Sequence, residues 1–287
     1  MKLLFSEQIL NQTAYRELVN GTQKGLLVRW AGTNQAAQAV TLAQLGQARV
    51  NFRGADTVND TVSFFAAMNN LFYGVAEFSS AVGGAFAATI WIPFSAYWDS
   101  YAGMFNDSKI AAFIQLNNTV TVATIVSGTV EVYYEEAPSI AQYITTFYQQ
   151  NVQVGGASQA KQTLTGFDIS SLLLDENANL TLVQVNVDQV AKISASQAVE
   201  KSFSNLMNRV ETAIALVELN LNPYRRIPSG GRQVEIQLQM SAATTVGLHS
   251  MGFVISQSDQ NRSAAFYESQ LKPSPISAAA EAADLSA

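Results

Sequence analysis

Few side chains in this sequence can do chemistry, and their spacing limits each of them. There is one histidine, His249, and no cysteine. A Ser-His-Asp arrangement would have to use His249, yet no Gly-x-Ser-x-Gly elbow accompanies it, and its stretch has strand character, so a structural part is expected. A zinc site takes three or four His or Cys ligands, which this composition cannot supply. Glu135 and Glu136 are neighbours, and neighbours on a strand point to opposite faces, whereas a glycosidase needs two carboxyl groups facing one another. They read as an exposed strand end. Asp175, Asn177 and Asn179 mimic the start of an EF-hand loop, but Leu180 stands where Gly is needed and Asn186 where Glu is needed, leaving a polar turn. The pairs Gly83-Gly84, Gly155-Gly156 and Gly230-Gly231 lack the Lys-Ser/Thr of a phosphate loop and read as turns. Trp91, Tyr97, Trp98 and Tyr101 have the density of a sugar-stacking platform, against which stands core and interface packing, the favoured reading. No catalytic, cofactor-binding or metal-binding residue is expected, and no enzyme activity.

The elements that would position these residues read mainly as short strands separated by Gly, Asn, Asp and Ser. In the first half they are 26–30, 48–52, 85–94, 111–116, 120–126 and 129–134; in the second, 180–187, 213–221, 233–240 and 245–254. The 129–134 stretch alternates, with Val130, Val132 and Tyr134 on one face, as a half-buried strand does. Such strand density predicts an all-β chain with a sandwich or barrel in each half. Helices are expected at 6–19, with Ser6 as N-cap, at 139–150 after Pro138, and in the matching connections 61–73 and 195–208. The first of these, with Lys2, Arg16, Lys24 and Arg29, fits either a membrane-facing amphipathic segment or a helix capping a barrel.

The two halves repeat one another. Val50, Asn51, Phe52, Val58, Phe64, Met68, Asn70 and Leu71 correspond to Val185, Asn186, Val187, Ile193, Val199, Phe203, Asn205 and Leu206 at a constant offset of 135. Four pairs are identities and the other four keep an apolar residue. The 85–94 stretch then meets 215–224 at an offset of 130, and Ile114-Gln115-Leu116 meets Ile236-Gln237-Leu238 at 122. Blocks in the same order with a falling offset describe a duplicated domain whose second copy has shorter loops.

Composition narrows the partners. Charged residues make up 13% of the 287, about half the share usual in soluble proteins, while apolar residues stand at 48%. A surface so poor in charge is covered either by uncharged polar groups or by other chains. The net charge is −6 and the 16 basic residues are scattered, so direct nucleic-acid binding, which depends on phosphate neutralisation, is not expected. The first twelve residues hold too short an apolar run for a signal peptide, and no 18-residue window is continuously apolar. The Asn-x-Ser/Thr triplets read as a by-product of composition. Beyond 254 the chain turns to Ser, Ala and Gln, is broken by Pro273 and Pro275, and ends Ala-rich and acidic, as a disordered tail or an arm held by a neighbour does.

In each half a strand closes on a tight turn, as at 48–54, and a connection then ends near Asn-Leu, as at Asn70-Leu71. A later strand closes on Pro, as at Pro93, and an alternating strand runs into acids, as at 129–136. With 182–188 and the ending Met251-Gly252-Phe253 in the second half, the chain resembles the double jelly-roll major capsid proteins of tailless icosahedral viruses with an internal membrane. The compact corticovirus type of bacteriophage is the nearest pattern. The resemblance covers roughly residues 20–255. It implies two eight-stranded jelly rolls in tandem, three copies forming a pseudo-hexagonal capsomer, and residence in the virion after assembly in the host cytoplasm. Implied partners are the other chains of a homotrimer, neighbouring capsomers, penton and minor capsid proteins, and the internal viral membrane. The tail after Val254 is longer than the compact pattern requires. The expected division is an N-terminal helical segment 1–20, a first jelly roll 21–138, a second 139–255 and an arm 256–287. Two alternatives stay open: a β-sandwich carbohydrate- or receptor-binding viral protein, and a single-jelly-roll capsid protein whose second barrel stands on the first as a turret.

Overall fold

A computed structural model of the protein describes residues 1–10, 13–52, 55–74, 77–95, 102–106, 112–141, 143–154, 159–164, 168–187, 189–208, 216–220 and 233–255. The chain begins with β1 (Lys2–Gln8), β2 (Thr13–Glu17) and β3 (Gly21–Asn34), then a 3-10 turn (Leu42–Leu45) leads to β4 (Gln47–Phe52) and β5 (Ala55–Thr61). Helix α1 (Val62–Tyr73) follows, then β6 (Glu77–Ser80), β7 (Ala85–Pro93), β8 (Ala102–Asn106), β9 (Phe113–Asn117) and β10 (Ile125–Glu136). After the short β11 (Ser139–Ile140) come β12 (Tyr143–Val154), β13 (Gln159–Leu164), β14 (Asp168–Asp175), β15 (Leu180–Val187) and β16 (Val190–Ala195). Helix α2 (Gln197–Asn208), β17 (Leu216–Asn220), β18 (Val234–Met240) and β19 (Thr244–Ile255) complete the order.

Strand pairing repeats between the halves. The sheet β1-β10-β3-β7 has its counterpart in β12-β19-β14-β17, and β2-β9-β4-β5 in β13-β18-β15-β16. The correspondence extends to register. Each of the five residue pairs of β4 with β9, from Gln47↔Asn117 to Asn51↔Phe113, recurs between β15 and β18 at the offsets read from sequence. Val50↔Ile114 thus returns as Val185↔Ile236, and the hairpin pair Val50↔Val58 as Val185↔Ile193. The helix caps recur too. Thr61 Oγ1 accepts from the Phe64 N–H at 3.1 Å, and its counterpart Ser196 Oγ accepts from the Val199 N–H at 3.4 Å. In the 85–94 and 215–224 block, β7 and β17 hold the same place in their sheets, although of the second stretch only 216–220 lies among the described residues.

Alternation explains the packing. Leu26, Val28 and Trp30 on β3 meet Ile92, Ile90 and Ala88 on β7, while Val130 and Val132 on β10 meet Trp30 and Val28, and all are buried. They face Ala48, Val50, Ile114 and Leu116 of the opposing sheet, and buried Trp30 donates its Nε1–H to Asn118 Oδ1 at 3.0 Å. A core of this kind is two sheets burying one face each.

Four expectations need correction. The 6–19 stretch is not a helix, and residues 1–20 are no separate segment: β1 pairs with β10 and β2 with β9, so both are strands of the first barrel. A short helix is marginal in water, and here two sheet edges offer a ladder of backbone hydrogen bonds instead. The 139–150 stretch is likewise β11 and most of β12, in keeping with its run of Tyr143, Ile144, Thr145, Thr146, Phe147 and Tyr148, all strong strand formers. The expected strand 120–126 is mostly a turn, in which the Thr124 N–H donates to the Thr121 carbonyl at 2.9 Å and Val122 points outward. The helices expected at 61–73 and 195–208 are present as α1 and α2.

Candidate functional site

The arrangement with most chemical content is the joint between the two barrels. The edge strand β5 of the first barrel pairs in parallel with β12 of the second, Phe147↔Val58 and Tyr148↔Asn59. Two four-stranded sheets thereby become one continuous eight-stranded sheet, β17-β14-β19-β12-β5-β4-β9-β2. The barrels therefore meet edge to edge, side by side. Ile144, Phe147, Leu173, Leu216 and Met251 of the second half belong to the apolar core of the first, while the second barrel keeps a further core around Leu172, Val183, Val185, Ile236 and Leu238. Phe147 is packed edge-on against Phe65 of α1, with ring centroids 5.4 Å apart at 78°.

His249 lies in this joint with 1% of its surface exposed. Its Nδ1–H donates to the carboxylate of Asp60, at 2.9 Å from both oxygens, and its Nε2–H donates to Asp175 Oδ1 at 3.3 Å. Asp60 comes from β5 of the first barrel, whereas His249 and Asp175 come from β19 and β14 of the second. The imidazole also stacks on the Phe64 ring of α1, 4.3 Å between centroids and 11° between planes. Burial alone would push the imidazole down, but the hydrogen bonds and charges of Asp175 and Asp60 outweigh it and raise its pKa to about 9. Burial pushes the Asp60 carboxyl up, against the pull of His249 and of the Thr61 N–H. The imidazolium is thus a charged pin between the barrels, sandwiched by a fully buried carboxylate and an aromatic face. Gly247 makes the outer contact possible: a Cβ there would stand 2.1 Å from Asp175 Oδ2. His249 joins strands of both barrels, but nothing local in sequence pointed to Asp60, 189 positions away.

Asp175 proves to be a partner of His249, and the residues after it form a turn. Asn177 Oδ1 accepts from the Asn179 N–H at 3.0 Å, and Asn177 Nδ2 donates to Thr244 Oγ1 at 3.1 Å. Glu135 and Glu136 lie at the end of β10, ion-paired to Lys24 at 3.5 Å and to Lys2 at 2.7 Å. Arg16 pairs with Glu7, and Arg29 with Glu131 at 3.7 Å. The four bases considered for a membrane-facing helix are therefore each matched to an acid on the strands, which corrects that reading. Gly83-Gly84 lies in the turn between β6 and β7, while the other two Gly pairs fall outside the described residues. Trp91 is held on β7 by Asn69 of α1, whose Oδ1 accepts its N–H at 2.6 Å and whose Nδ2 donates to its carbonyl at 2.9 Å. Tyr97, Trp98 and Tyr101 lie outside the described residues. Among the described residues no group of three or more acids or histidines is arranged to hold a metal ion.

No protein-family model matches the sequence, and no curated protein matches it significantly. Solved structures do share its fold. The crystal structure of the STIV MCP superposes with a TM-score of 0.65 at 12% identity, covering 89% of this chain and 98% of the other. The chain in the atomic structure of Sulfolobus Turreted Icosahedral Virus gives 0.67 at 12% identity, with 91% and 93% covered. The major capsid protein P2 of Bacteriophage PM2 gives 0.60 at 11% identity, with 90% and 97% covered. The chain has the double jelly-roll fold of these proteins.

Proposed function

We propose that this protein is a major capsid protein, tiling an icosahedral shell as trimeric, pseudo-hexagonal capsomers. The observation that carries this reading is the extent of the likeness: the whole two-barrel architecture, spanning 89% of this chain and 98% of the STIV MCP, is shared. A fold does not by itself dictate function. Two features of the chain support the reading independently. Its 13% charged content suits surfaces that become buried between copies, because fewer ions must be desolvated. Its barrels are also locked side by side through a shared sheet, which gives each copy two nearly equivalent units to place around a ring.

On this reading the barrels divide near Pro138, with the first running from β1 to β10 and the second from β12 to β19; the arm expected at 256–287 lies outside the described residues. The partners are further copies of the chain, adjoining capsomers, penton and minor capsid proteins and an internal membrane, with no direct contact to nucleic acid and no enzyme activity. The site of action is the virion. Sedimentation velocity of the purified protein tests the reading. A trimer that grows into larger arrays with concentration is expected; a monodisperse monomer that binds a glycan would replace it with the carbohydrate-binding alternative.

A further inference from the structure

Helices α1 and α2 hold the same place in the same topology, yet they are dressed differently. Phe64, Met68 and Leu71 on α1 are each no more than 2% exposed. Their counterparts Val199, Phe203 and Leu206 on α2 are 59%, 53% and 74% exposed, and Met207 beside them is 54% exposed. The side that α2 turns to its own barrel is polar: Ser204 is buried, Lys201 is ion-paired with Glu176 at 2.5 Å, and Gln197 Oε1 accepts the Asn177 N–H at 2.9 Å. A helix on a finished surface turns its apolar stripe inward. This one is inside out.

Helix α1 packs on β7, the 3-10 turn and β5 of its own barrel, and the second barrel completes its cover, with His249 and Phe147 against Phe64 and with α2 and β17 beside the helix. The strand beside α1, β5, is closed by β12. Among the described residues the counterpart of β5, β16, is an open sheet edge, and so is the counterpart of β12, β1. A single copy thus carries, unused, both halves of the joint it has already made once: α2 with the β16 edge at one end, and the β1 edge with its exposed Leu3 at the other. Open sheet edges and contiguous exposed apolar residues are sites of association.

We propose that α2 and β16 dock on the β1 edge of the first barrel of a second copy of this chain, β16 and β1 pairing in parallel as β5 and β12 do. Val199, Phe203, Leu206 and Met207 are then covered by that copy as Phe64 is covered across the internal joint, and α2 meets α1 and β7 of that copy. Because the contact joins unlike surfaces it repeats head to tail. Its closure at three copies rests on the capsid reading, whereas the contact itself rests on the internal repeat.

The test is sedimentation of the full chain carrying Phe203→Asp with Leu206→Asp, beside a control with Val122→Asp, another exposed apolar residue at 68%. Wild type and control are expected to sediment as trimer and the double variant as monomer with an unchanged circular dichroism spectrum. A double variant that still forms trimers overturns the docking surface and leaves the capsid reading standing; wild type that stays monomeric at every concentration overturns both. Strand pairing is read separately, since the chain has no cysteine to interfere. Chains with Ser194→Cys, mixed with chains carrying single cysteines at successive positions of β1, are expected to form a disulfide-linked dimer at one register. No cross-link at any of these positions would overturn the pairing.

Discussion

Helices α1 and α2 share a cap, a length and a place behind the same hairpin, and they differ in what lies over their apolar stripes. Over α1 lies another barrel of the same chain, and the helix has become part of the core: Phe65 is fully buried and its ring packs on Phe147. Over α2 nothing described in this chain lies, and its stripe faces outward. On the docking proposed above, the difference teaches that the joint between the barrels is a template for the joint between copies. Duplication built one such contact covalently and left its reciprocal surfaces at the two ends.

The comparison breaks most sharply at the aromatic residues. Phe65→Ala should lower the free energy of unfolding by about 3–5 kcal/mol, as loss of a fully buried ring does, while Phe203→Ala should change that of the monomer by less than about 0.5 kcal/mol and act on assembly alone. Equal losses in chemical denaturation would erase the distinction between a used and an unused joint.

The charged pin comes next. His249 has its pKa raised from 6.5 to about 9, so the protonated form is favoured by the fold. The corresponding stability, about 3 kcal/mol, is fully present below pH 6.5 and is lost as pH rises through 9. Asp60 is raised as well, chiefly by burial, and a raised carboxyl also loses its contribution as pH rises. Thermal midpoints should therefore fall between pH 6.5 and 9 in the wild type and stay flat in that window for His249→Gln. A smaller effect is expected at Gly247→Ala, which displaces Asp175 and removes one hydrogen bond at the exposed side of the pin. It should cost about 1–2 kcal/mol near neutral pH and narrow the alkaline slope. No such pin is expected at α2, where Val199 stands in place of Phe64.

Sequence carried much of the fold because the duplicated hairpin is local and strongly patterned. Val50, Val58 and Ile114 recur at fixed offsets, and the structure pairs their counterparts in the same register. The strands that escaped notice, among them β1, β2, β13 and β14, are defined by what they pair with more than by their own alternation. Ala14 is the sole buried residue of β2, and three consecutive leucines of β14 are buried because the joint covers one face and the barrel core the other. The joint was legible only in part. His249 stood out as the lone histidine, and Asp175 as a turn residue, but Asp60 meets them through a strand pairing between halves that leaves no local trace. The exposed stripe of α2 was written in sequence as a match to α1; only the structure shows that one is covered and the other is not.

The central claim, that each copy repeats its internal joint to the next, is tested most directly by electron microscopy of the purified assembly. The account predicts class averages with six near-equal lobes around a ring, contributed by three chains. A two-lobed monomer, or copies meeting through surfaces that leave α2 uncovered, would contradict it.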